Sequence, residues 1–123
     1  MLGSLNMLGG TMSVVIANAF SLNMLDLEVG VTDLQVCPAS PDVIRQEIEE
    51  EGGFTSIVGH ADTAAVFSSL LGLYVPCNRA TFTMDEGVTL FVGQYKGPRL
   101  PEGATTLPEG AKVEWAMVLV VID

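Results

Sequence analysis

At 123 residues, 49% hydrophobic and 16% charged, the chain is long enough for one compact domain with a continuous core and too apolar for a disordered segment. Its net charge of −10 excludes a non-specific binder of duplex nucleic acid, because such proteins neutralise phosphates with many basic side chains. Only Arg45, Arg79, Lys96, Arg99 and Lys112 are available, so an anionic ligand must be compact and held by one or two arginines, backbone N–H groups and neutral polar side chains.

The opening "MLGSLNMLGGTMSVVIANAF" is apolar but lacks the basic n-region of a signal peptide, and no run approaches a membrane span. A cytoplasmic protein without membrane association is expected. Residues 1–11 read as a loose extension, with Met12 a candidate start of a single domain over 12–123. "SVVIANA" reads as a first strand and "LQVC" as a second. "SPDVIRQEIEEEGG" carries the punctuation of a helix: Ser40 as N-cap, Pro41 at the first position, Asp42 in the first turn, Gly52 and Gly53 at the stop. Its acidic run from Glu47 to Glu51 reads as a solvated face.

A second helix is predicted from about Ala61 to Leu71, with Gly72 as its stop. "YVPCNRATFTM" and "VTLFVGQY" read as two strands of a hairpin joined at "DEG". "KVEWAMVLVVID" is so continuously apolar that both of its faces are expected to be covered inside a sheet. Before it lies "KGPRLPEGATTLPEGA", a long Pro- and Gly-rich segment of the kind that is usually functional or disordered. The sum is an α/β domain with a mixed sheet of about five strands and two or three flanking helices. Cys37 and Cys77, with one histidine, cannot complete a usual zinc site, so no metal and no cofactor are expected and both thiols read as reduced and buried.

His60, in "SIVGHADT", is the only histidine and falls at the start of the second helix. There free N–H groups and the macrodipole favour a phosphate, and an imidazole is suited to proton transfer near neutrality. A histidine that merely caps or packs is the competing reading. Arg99 and Glu102, in "GPRLPEG", are flanked by prolines that restrict the backbone, and a guanidinium offers paired donors to a scissile phosphate. The alternative is a surface Arg–Glu pair of little energetic consequence. Arg79 in "CNRATF" reads as a second phosphate contact or a strand-surface charge. Asn18, Ser21 and Asn23 follow the first strand, where polar side chains can bind ligand, although Ser21 could equally cap a helix.

Taken together, "VIANAFSLNMLD", "SIVGHADTA", "CNRATF" and "VGQYKGPRLPEGATTLPEGAKVEW" resemble the viral ring nucleases, type III anti-CRISPR proteins of archaeal viruses and phages with relatives in bacterial CRISPR loci. The resemblance covers the chain from Ser13 onward. It implies a homodimeric α/β protein in a prokaryotic cytoplasm that binds cyclic tetra-adenylate (cA4) and cuts it into linear di-adenylates without a metal. By the same resemblance His60, Arg99 and Glu102 are the catalytic residues and Gln94 is a ligand contact, though the stretch from Gln94 to Arg99 is one residue longer than in the family pattern. A non-catalytic sponge for the same ring and a protein-interaction module are the remaining classes.

Overall fold

The computed structural model describes residues 13–121; the expected loose extension at 1–11 lies outside them. Among the described residues five strands and two α-helices follow in order: β1 (Val14–Ala17), β2 (Leu34–Ala39), α1 (Pro41–Glu51), β3 (Thr55–Ser56), α2 (Ala61–Leu71), β4 (Thr89–Lys96) and β5 (Lys112–Val120), with two short 3₁₀ turns between β1 and β2. They form one five-stranded mixed sheet in the order β2-β5-β4-β1-β3 with two helices, the α/β architecture expected from the sequence. β1 pairs in parallel with β3 and β4, whereas β5 runs antiparallel to both β4 and β2. The C-terminal ends of β1, β3 and β4 therefore open toward the same edge, where ligands of parallel sheets usually bind.

Local chemistry sets both helices. The Ser40 hydroxyl accepts from the Val43 N–H at 3.3 Å, Pro41 needs no donor at the first position, and Gly52 closes α1 in the left-handed region. Arg45 grips the other helix by donating to the Leu71 carbonyl at 3.0 Å. Both helices lie on one face of the sheet, where Ile44, Phe67 and Leu71 pack against Val14, Ile16, Phe91 and Trp115. Each such side chain, fully buried, contributes roughly 1.5–3 kcal/mol. Gly93 is required beneath them: a Cβ there would stand 2.6 Å from both the Phe67 and the Trp115 ring. Its absence lets those rings meet with centroids 4.7 Å apart.

On the opposite face Val15, Ala17, Leu90 and Val118 are covered by Met24, Leu25, Phe82 and Met84 from the irregular segments. That cover stops short of β2. Val36 stays 64% exposed there, and Gln94 is exposed beside it.

Three expectations are corrected. Residues 74–84 form no strand, and the "DEG" turn joins no hairpin. Pro76 has no N–H to give a ladder, its carbonyl accepts from the Ser56 hydroxyl at 2.6 Å, and the Asn78 amide donates to the Ser56 carbonyl at 2.7 Å. The segment is thus tied to β3 by side chains, and the fifth strand is the two-residue β3 itself. The covered faces of β5 are limited to Trp115 and Val118; its other positions are partly or fully exposed, because the open part of the sheet lies over Ala116 and Glu114. Cys77 is exposed rather than buried, and neither cysteine is in a disulfide.

Candidate functional site

β1 ends at Ala17, and the next residue turns its side chain to the α2 approach: the Asn18 Oδ1 accepts from the Gly59 N–H at 3.3 Å. The Gly59 carbonyl in turn accepts from the Arg79 Nε at 2.9 Å. A Cβ on Gly59 would meet the Arg79 Cγ at 3.2 Å, so glycine here allows the arginine to lie across the backbone. Asn18, Gly59 and Arg79 clamp the residue that follows, His60.

His60 is the N-cap of α2 with extended backbone, and its side chain makes no capping hydrogen bond. The first N–H groups of the helix and the positive end of its dipole remain open toward an anion. The imidazole is exposed and lines two clefts. The first, about 410 Å³, is walled by Asn18, Gly59, Arg79 and Thr81. The second, about 920 Å³, brings His60 together with Asp62, Tyr95, Arg99 and Glu102.

The wall of the second cleft is the segment between Lys96 and Lys112, which are directly paired across β4 and β5, so the long connection leaves and re-enters the sheet at one place. Gly97 packs so closely on Ala111 that a Cβ would fall 2.6 Å from the alanine Cβ, which holds the two ends together. The Tyr95 hydroxyl donates to the Pro98 carbonyl, and the Ser69 hydroxyl to the Thr105 carbonyl at 2.6 Å. Between these ties the Ala104 N–H donates to the Pro101 carbonyl at 3.0 Å, closing a turn with Glu102 and Gly103 at its tip. Asp62 and Tyr95 fall within the quoted stretches, but the sequence assigns neither a role. Their roles arise from contacts across the cleft.

The distribution of charge singles out one cation. Arg45 pairs with Asp42, Lys96 and Lys112 share Glu114 at 2.6 and 3.2 Å, and Arg79 is engaged at Gly59. Among the described residues Arg99 has no ion pair or hydrogen bond, and neither has the Glu102 carboxylate. The surface Arg99–Glu102 pair considered as the alternative does not form. Glu114 is held below the usual carboxylate range by its hydrogen bond from Lys96 and then by that from Lys112.

Gln94 lies apart from His60, on the open sheet face, in a groove of about 440 Å³ that it shares with Asn18, Phe20, Val36 and Val92. Asn18 therefore borders both the His60 cleft and the Gln94 groove. Ser21 and Asn23 line neither His60 cleft: the Ser21 hydroxyl accepts from the Asn23 N–H at 3.1 Å and caps a short 3₁₀ turn, Leu22–Met24. Among the described residues no group of three or more His, Cys, Asp or Glu side chains is placed to hold a metal ion, and no helix is long and apolar enough to cross a membrane.

A family model described as STIV B116-like matches residues 14–114. The chain belongs to the STIV B116-like family. The match runs from the first residue of β1 into β5 and so takes in His60, Arg99 and Glu102. Among solved structures, B116 of Sulfolobus turreted icosahedral virus is similar with a TM-score of 0.70 and 25% identity, over 87% of this chain and 98% of that one. None of the curated protein sequences matches the chain.

Proposed function

We propose that this STIV B116-like protein is a metal-independent ring nuclease that cleaves cA4 to linear di-adenylates and so switches off type III CRISPR signalling. The observation that carries the reading is the second cleft, which an imidazole without a capping bond, an unpaired guanidinium and an unpaired carboxylate line together. The resemblance of the chain from Ser13 onward to the ring nuclease motifs supplies the substrate.

In RNA the 2′-hydroxyl beside each phosphate can attack phosphorus in line, so the protein need supply no nucleophile. The 2′-oxygen–phosphorus bond forms, its proton passing to solvent water, as the bond to the 5′ oxygen breaks, which leaves a 2′,3′-cyclic phosphate on one fragment and a 5′-hydroxyl on the other. His60 protonates that leaving oxygen, and Arg99 stabilises the charge that grows on the phosphoryl oxygens. Glu102 orients His60 or the ligand. Asn18 and Arg79 fix the loop before His60 and offer polar contacts to the adjoining nucleotide, and a required 2′-hydroxyl explains selectivity for RNA. Ser21 and Asn23 extend the polar surface that follows β1.

The ring has four repeated nucleotides, and a two-fold homodimer would present equivalent His60 and Arg99 groups to opposite phosphates. The exposed Val36 beside Gln94 and Asn18 supports pairing of two copies through the open sheet face, which would bring Gln94 toward a shared central ring. The dimer also doubles the few cations at one place. Incubation with cyclic oligoadenylates of different ring sizes in EDTA, read by chromatography of products, tests the activity; light scattering tests the dimer.

A further inference from the structure

The Asp62 Oδ1 accepts a hydrogen bond from the Gly103 N–H at 3.1 Å. Asp62 is the second residue of α2, directly after the segment that places His60, and Gly103 directly follows Glu102. One contact therefore joins the helix that carries the imidazole to the turn that carries the carboxylate. Gly103 adopts φ +82°, a backbone state that suits glycine, so its N–H direction is fixed by the turn and not by Asp62 alone. We propose that Asp62 is a positioning residue that sets the separation of Glu102 and Arg99 from His60, an inference that rests on the ring nuclease reading above.

Two features favour this role over simple helix stabilisation. An acidic residue in the first turn is served by its own helix N–H groups, yet this carboxylate reaches across to a residue 41 positions later. The ties from Tyr95 to Pro98 and from Ser69 to Thr105 hold the segment on either side of the turn, whereas the bond from Gly103 to Asp62 is the one that fastens the tip itself to α2. A displacement of about 1 Å in such a site can lower a rate on the order of 100-fold.

The test compares Asp62→Ala and Asp62→Asn with the parent chain by melting temperature, NMR hydrogen exchange at the Gly103 amide, cA4 affinity and single-turnover cleavage. Asp62→Ala is expected to speed exchange at Gly103 and to slow cleavage about 10-fold or more, with affinity changed less and the melting temperature lowered by only a few degrees. Asp62→Asn, which keeps the acceptor oxygen, should restore most of the cleavage rate and the protection. Equal loss in both variants, or a rate that merely follows the melting temperature, overturns the positioning role. Should the parent cleave no cyclic oligoadenylate, the enzymatic reading fails; unchanged Gly103 exchange in Asp62→Ala overturns the tie itself.

Discussion

Arg79 donates its Nε–H to the Gly59 carbonyl at 2.9 Å, so the guanidinium that borders the His60 cleft is anchored by one nitrogen and leaves its other donors for a ligand. Removing it loses an exposed hydrogen bond worth about 0.5–1.5 kcal/mol. Arg79→Ala should therefore lower stability by no more than about 1.5 kcal/mol in urea unfolding, while weakening cA4 binding by a larger factor. A variant that binds the ring like the parent would reduce Arg79 to a structural strap.

Gly93 gives a prediction about folding alone. Because a Cβ would stand 2.6 Å from both Phe67 and Trp115, Gly93→Ala should cost about 1–3 kcal/mol by overpacking. Chemical unfolding measures it, and the Trp115 fluorescence should shift with the displaced ring. A neutral result would mean that the two rings separate freely.

The open sheet face carries a pH dependence. Lys96 and Lys112 stand directly opposite in the β4–β5 register, a like-charge pair that Glu114 bridges. The folded state holds the Glu114 carboxyl below its ordinary range, so its stabilisation is present above that range and is lost as pH falls through the depressed value. Glu114→Gln should lower the melting temperature slightly at neutral pH and match the parent at strongly acidic pH. The carboxylate is exposed, so added salt should shrink the difference.

Arg99 separates binding from chemistry. Arg99→Lys keeps the charge but loses the planar paired donors, so it should recover only part of the activity that Arg99→Ala abolishes. A loss larger in cleavage than in affinity means that the contact strengthens in the transition state. If Arg99→Ala binds and cuts like the parent, the free guanidinium serves neither step.

The helices were legible because their signals are local: Ser40, Pro41 and Gly52 bound α1, and Gly72 ends α2 in the left-handed region. The strand order and the spurious hairpin were not, since Pro76 and Asn78 are drawn to Ser56 across 20 and 22 residues and β3 is too short to show an alternation. The same division holds at the site. His60 at a helix start could be read from its neighbours, whereas its meeting with Arg99 depends on a loop pinned by Tyr95, Ser69 and Asp62. Gln94 shows the converse: the resemblance implies a ligand contact at this position, yet its side chain belongs to a groove on the open sheet face that His60 does not line.

Single-turnover cleavage of cA4 by the parent chain and by His60→Ala, in EDTA and at protein concentrations above the binding constant, tests the central claim most directly. The parent should convert the ring to linear di-adenylates without a divalent ion, and His60→Ala should bind the ring but cut it about 10²- to 10⁴-fold more slowly, the usual contribution of general acid–base catalysis. Binding without cleavage by the parent would make the protein a sponge, and near-parent cleavage by His60→Ala would remove the imidazole from the chemistry.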